Sequence, residues 1–179
     1  MIKNIAVIRG DGIGPEITAQ AIRVLDRIAE LYGHTFNYTE VDMGGCAIDK
    51  YGDPLPESEL EKCLASDSVL LEAVGGEKWN NVAGNKRTEK GLLRLRAGMG
   101  VYSNNRPAKI WKQLSEASPL KKEIVDKGID FIIVRELIGG IYFGEHVRSS
   151  DGTSARDVMA YSVPEVERIA RVAFEAAMR

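Results

Sequence analysis

Arg96 and Arg106 stand in GLLRLR (91–96) and SNNRP (103–107), and Arg135 and Tyr142 follow in VREL (134–137) and GGIYFGE (139–145). A planar guanidinium can grip a carboxylate through two parallel hydrogen bonds and keeps its charge near neutral pH. Arg96, Arg106 and Arg135 could therefore converge on a small polyanion, with Leu92 and Leu93 as an apolar wall. Such a pocket suits a branched substrate carrying several carboxylates. Spacing alone leaves a second reading open, in which three arginines among 24 basic residues are surface charges and Leu92, Leu93 and Leu95 are the core face of an amphipathic helix.

The elements that must position these residues are legible in outline. Residues 2–8 form an apolar run fit for a buried strand, and RGDGIG then turns the chain into a helix that Pro15 can open. Ile17, Ala21, Val24, Ile28 and Leu31 recur at helical spacing, and Gly33 can close the helix in the left-handed conformation. HTFNYTEVDM (34–43) reads as a second strand, PESELEKCLA (56–65) as a short helix and SVLLEAV (68–74) as another buried strand. Strands alternating with helices indicate an α/β fold with a mostly parallel sheet flanked by helices.

From about residue 100 the character changes. GVYSNNRPAKI (100–110) and FIIVREL (131–137) read as strands, IYFGE (141–145) as a further extended piece and HVRSSDGTSARDVM (146–159) as a polar stretch. Ser162 and Glu165 form a capping box ahead of Val166, Ile169, Ala173 and Ala176 at helical period. GDGIG matches neither the GxGxxG fingerprint nor the lysine-bearing phosphate loop, so the glycines alone identify no nucleotide site.

With 44% hydrophobic and 28% charged residues the 179-residue chain has a globular composition. A net charge of −2 gives no reason to expect nucleic-acid binding, and neither a long apolar span nor a basic-then-apolar leader suggests a membrane. A cytoplasmic location is the simplest expectation. Cys46 and Cys63 form no CxxC motif and read as free thiols; with only His34 and His146 beside them they make no zinc site, and both histidines read as loop residues without a role.

The order of motifs decides between the two readings of the arginines. IAVIRGDGIGPEI (5–17), AVGGEKW (73–79), GLLRLR, SNNRPAKI (103–110), IVRELIGGIYFGE (133–145) and YSVPEVERIARVAFEAA (161–177) resemble, in that order and over essentially the whole chain, the N-terminal half of the isocitrate/isopropylmalate dehydrogenase family. GDGIGPE belongs to the wider set of decarboxylating β-hydroxyacid dehydrogenases. Leu92 and Leu93 narrow the resemblance to the isopropylmalate branch, because an apolar pair disfavours a substrate bearing a third carboxylate at that point.

The resemblance implies roles residue by residue. Arg96, Arg106 and Arg135 match the arginines that bind the malate carboxylates, Leu92 and Leu93 would meet the isopropyl group, and Tyr142 matches a tyrosine that donates a proton after decarboxylation. Glu89 matches an acidic residue facing the nicotinamide of NAD, and Gly76, Glu77, Lys78, Trp79 and Asn80 fall in the cofactor-contacting loop. Glu72, Glu77 and Asn80 depart from the usual family pattern there.

The implied reaction is NAD-dependent oxidation and decarboxylation of 3-isopropylmalate to the keto acid precursor of leucine, in a homodimer. The implied domains are 1–99, the first part of a cofactor-side α/β domain, and 100–179, the first part of a substrate and dimerisation domain with an arm at about 146–161. Family members are about twice this long, so both domains are expected to be incomplete here. The general-base lysine, the aspartates that hold Mg²⁺ or Mn²⁺ and a histidine-containing adenosine loop are expected beyond these residues, with no metal ligand in this chain and no turnover by the chain alone. The alternatives are a related alkylmalate, homoisocitrate or tartrate dehydrogenase, and a non-catalytic carboxylate-binding or assembly fragment.

Overall fold

A computed structural model describes the backbone of residues 1–179 and the side chains of 1–84 and 86–179. The chain divides into two compact units, Met1–Gly100 and Val101–Arg179.

In the first unit, β1 (Ile2–Ile8) lies between β2 (Thr35–Glu40) and β3 (Ser68–Leu71) and runs parallel to both. A central parallel strand is covered on both faces, which is why Ile5, Ala6, Val7 and Ile8 are all buried rather than alternating. The connecting helices are α1 (Gly14–Tyr32), α2 (Gly45–Tyr51) and α3 (Glu57–Leu64), and α4 (Thr88–Met99) closes the unit. The core packs Ala6 and Ile8 against Val41, Met43, Leu55, Leu60, Cys63 and Leu95. Fully burying a side chain the size of Met43 or Leu55 contributes about 1.5–3 kcal/mol.

Pro15 stands in the first turn of α1 and Gly33 ends it at φ 64°, both as expected. The face that α1 turns inward takes in only part of the Ile17–Leu31 set, Ile17 and Ala21 being half-buried. Gly14 and Thr18 are buried and Ile22, Leu25 and Ala29 half-buried, whereas Val24 and Leu31 are exposed. The helix is apolar on two adjoining faces, and the first unit covers only one.

Two strands are shorter than the sequence suggests. β2 ends at Glu40 rather than at residue 43, and β3 at Leu71 rather than at residue 74. Beyond β3 the Ala73 carbonyl accepts the Asp11 amide at 2.8 Å and Gly75 takes φ 101°, so the chain leaves the sheet. Cys46 and Cys63 are free thiols, and burial pushes both thiols above their usual range.

The second unit is built on the antiparallel pair β4 (Ser103–Lys109) and β5 (Asp130–Glu136), joined through a 3₁₀ stretch and the short helix α5 (Lys122–Val125). A small hairpin follows, β6 (His146–Arg148) with β7 (Ala155–Asp157), and α6 (Val163–Ala177) packs against β5. Residues 146–159 are thus an ordered hairpin, and His146 lies in a strand rather than a loop, its Nδ1 2.8 Å from Asp157. IYFGE is not extended: Gly140–Tyr142 is a 3₁₀ turn, because Gly140 sits at φ 72° and its carbonyl receives the amides of Phe143 and Gly144. The Ser162–Glu165 capping box is present, and the Ser162 hydroxyl and amide hold the Glu165 carboxyl below its usual range.

Candidate functional site

In the second unit the β4–β5 register sets Arg135 opposite Asn104 and Ile133 opposite Arg106. Directly opposed residues share a face, as do residues two apart on one strand, so Arg106 and Arg135 project together as diagonal neighbours, about 7–8 Å apart at the backbone. Both are exposed. Arg106 keeps one weak tether, from its Nε to Asn104 Oδ1 at 3.3 Å.

The glycine turn after β5 brings Tyr142 back beneath this face. The Arg135 guanidinium lies 5.8 Å from the centroid of the Tyr142 ring. Arg135 and Tyr142 border a cavity of about 480 Å³ whose other walls include Ile133, Ile141, Tyr161 and Val166. The turn admits no side chain at its centre: a Cβ on Gly140 would stand 2.3 Å from the Tyr161 hydroxyl, and one on Gly139 2.9 Å from Glu165 Oε1.

What holds this wall is an ion pair that the sequence reading did not single out. Glu136, at the end of β5, accepts from Arg168 of α6 at 2.6 Å and 3.2 Å and from the Ile138 amide at 3.1 Å. The same guanidinium lies 4.7 Å above the Tyr102 ring. Arg168 is thereby held above its usual range, chiefly through Glu136.

The first unit carries the rest of the candidates. Along α4, Glu89, Leu92, Leu93 and Arg96 follow the three- and four-residue spacing that stacks side chains on one helix face. That stripe borders the buried face of the helix: Leu95 is in the core, Leu92 packs partly against it, and Leu93 and Arg96 are half-buried. Leu92 is therefore divided between core and surface, and Leu93 is the freer of the pair. The three candidate arginines divide accordingly, Arg96 in the first unit and Arg106 and Arg135 in the second.

The loop before α4 holds a smaller cavity, about 280 Å³, walled by Gly76, Trp79, Asn80 and Glu89 together with Arg87 and Thr88. Glu77 and Lys78 are not among its walls. Lys78 instead pairs with Asp49 of α2, which also accepts the Trp79 indole N–H at 3.2 Å.

Asp11 anchors the start of that loop. Its buried carboxylate accepts the amides of Gly45 at 2.6 Å and Gly75 at 2.7 Å on Oδ2 and of Cys46 at 2.8 Å on Oδ1. The signal in the sequence was an acidic residue inside a glycine-rich turn, but its partners lie 34 to 64 residues away and no spacing rule reaches them.

Among the described residues no group of three or more His, Cys, Asp or Glu side chains is arranged to hold a metal ion. The divalent ion implied by the sequence resemblance therefore has no fitting donor set here. Among the described residues no helix is long and apolar enough to cross a membrane.

Comparison with known proteins bears on the whole chain. The family model described as isocitrate/isopropylmalate dehydrogenase matches residues 4–179. The chain is 54% identical over 178 residues to a 3-isopropylmalate dehydrogenase of Clostridium acetobutylicum, covering 98% of this chain and 50% of that one. It is 55% identical over 179 residues to a 3-isopropylmalate dehydrogenase of Helicobacter hepaticus, covering 99% and 50%. Among solved structures it resembles the isocitrate dehydrogenase of Methylococcus capsulatus at 25% identity and a TM-score of 0.75, over 99% of this chain and 48% of that one. The chain spans about half the length of the curated relatives it matches. With the motifs in family order and a match from residue 4 to residue 179, the chain belongs to the isocitrate/isopropylmalate dehydrogenase family.

Proposed function

We propose that this chain supplies the carboxylate-binding arginines, the apolar wall, the proton donor and the nicotinamide loop of an NAD-dependent 3-isopropylmalate dehydrogenase of leucine biosynthesis. The observation that carries the reading is the shared face of Arg106 and Arg135 with the Tyr142 ring 5.8 Å from the Arg135 guanidinium. Identity above 50% to relatives named for this activity supports it.

Arg106 and Arg135 each take one substrate carboxylate in a bidentate grip, and the family resemblance gives Arg96 of α4 a carboxylate-binding role as well. Leu93, with part of Leu92, packs the isopropyl group. A polar substituent there would lose its hydration without gaining a partner. Gly76, Thr88 and Glu89 would hold the nicotinamide end of NAD, which would supply the hydride acceptor for oxidation at C2. Tyr142 donates its phenolic proton to C3 after the C3 carboxylate leaves, acting as general acid from a ring that Arg135 keeps in place. No step is assigned to a metal ion.

The exposed β6–β7 hairpin suits a role as the arm of a homodimer. Two unpaired cysteines suit the reducing cytoplasm.

Calorimetric titration of the chain with 3-isopropylmalate tests the reading. Arg135→Lys keeps a charge but loses the bidentate fork, and is expected to weaken binding by roughly tenfold, about 1.4 kcal/mol. Equal affinities for the wild type and the lysine variant would remove Arg135 from the site.

A further inference from the structure

We propose that Asp11 is the positioning residue of the 75–87 loop, its carboxylate fixing the entry of that loop against the start of α2 through three backbone amides. The consequence for cofactor binding rests on the NAD reading above; the positioning itself does not.

Three features single Asp11 out. It is only 4% exposed, and no ion pair in the first unit engages it among the described residues. Its charge is met by the Gly45, Cys46 and Gly75 N–H groups instead, and charge-assisted bonds of this kind are roughly twice as strong as neutral ones. Those donors come from two separate segments, so one side chain ties the first turn of α2 to the first residue of the loop.

The backbone beside the carboxylate is closely packed. A Cβ on Gly44 would come 2.5 Å from Asp11 Oδ2, and one on Gly45 would come 2.3 Å from the Trp79 ring. Three and four residues further on, the loop is pinned to the same helix by Lys78 and Trp79 on Asp49. Two aspartates thus hold the loop to α2 at two points, with Gly76 and Trp79, two walls of the smaller cavity, following directly.

The chemistry predicts an asymmetry on substitution. Both Asp11 oxygens accept, whereas asparagine would put an NH₂ group against either the Cys46 amide or the Gly45 and Gly75 amides, donor facing donor. In Asp11→Asn, hydrogen exchange at Gly75 is expected to rise at least tenfold while exchange at Ala6, Val7 and Ile8 is unchanged. NAD should bind several-fold more weakly. Unchanged exchange at Gly75 in the folded variant would overturn the proposal.

If the variant does not fold, the wild-type chain decides. In native-state hydrogen exchange of the wild-type chain, the Gly45, Cys46 and Gly75 amides are expected to open together, with one common opening free energy, because one carboxylate holds all three. Separate opening free energies, or no protection at Gly75, would overturn the proposal. If wild-type NAD binding is absent while the three amides open together, the cofactor reading fails and the positioning role stands.

Discussion

Removing Arg168 should loosen the second unit by an amount that its contacts allow one to work out. Its guanidinium makes two bonds to Glu136, whose side chain is 8% exposed, while Arg168 itself is 30% exposed. Hydrogen bonds to a charged partner contribute about 1.5–3 kcal/mol, and the Tyr102 contact adds roughly 0.5–1 kcal/mol. Releasing the side chain returns up to about 2 kcal/mol of rotamer entropy, so the expected loss for Arg168→Ala is close to 2 kcal/mol. For a unit of this size that is a fall in Tm of roughly 10 °C. Glu136→Gln keeps the shape and the bond from the Ile138 amide, and the double variant completes a cycle in which the pair should couple by about 1–2 kcal/mol. Urea titration followed at the Ile138 and Arg168 amides reads the second unit separately. Coupling below about 0.3 kcal/mol would refute the clamp and reduce the pair to an ordinary surface contact.

Leu95 is 4% exposed in the first-unit core, so Leu95→Ala should cost about 2–5 kcal/mol in the same titration, read at Ala6. Gly140→Ala meets both φ 72° and the Tyr161 hydroxyl, whereas Gly33→Ala at φ 64° meets nothing within 4 Å; the first should therefore lower the melting temperature clearly more than the second, whose cost is about 1–2 kcal/mol. Burial and the Asp26 hydrogen bond push the Tyr38 hydroxyl up to about 12. Because this raised group favours the folded state while protonated, its contribution is complete below pH 10 and disappears as pH rises toward 12. Tyr38→Phe should flatten that part of the alkaline stability curve. Thiol modification near neutral pH should be slower at Cys46 than in a free peptide, and at Cys63 should wait for unfolding.

The elements of the first unit were legible because local chemistry and the fold agree there. An apolar run made β1, and Pro15 and Gly33 bracketed α1; in the second unit a capping box began α6. What local pattern could not give was α2, a seven-residue helix whose amides at Gly45 and Cys46 are satisfied by Asp11, 34 and 35 residues earlier. Helical spacing alone does not give the inward face of α1 for a related reason: the helix is apolar on two sides, and only packing chooses between them. IYFGE looked extended from its aromatic residues, but the positive φ of Gly140 commits it to a turn. In the candidate site, Arg106, Arg135 and Tyr142 were chosen by type and motif and lie together in the second unit. Lys78 was chosen by motif alone, and Asp49 draws it away from the cavity.

The selectivity of the chain between 3-isopropylmalate and isocitrate tests the central claim most directly. The two ligands share the malate carboxylates and differ in an isopropyl group against a carboxylate-bearing arm, the feature that Leu92 and Leu93 are proposed to read. Leaving that carboxylate unpaired beside two leucines costs about 1–3 kcal/mol, so 3-isopropylmalate should bind roughly 5- to 150-fold tighter. Equal or tighter binding of isocitrate would contradict the account.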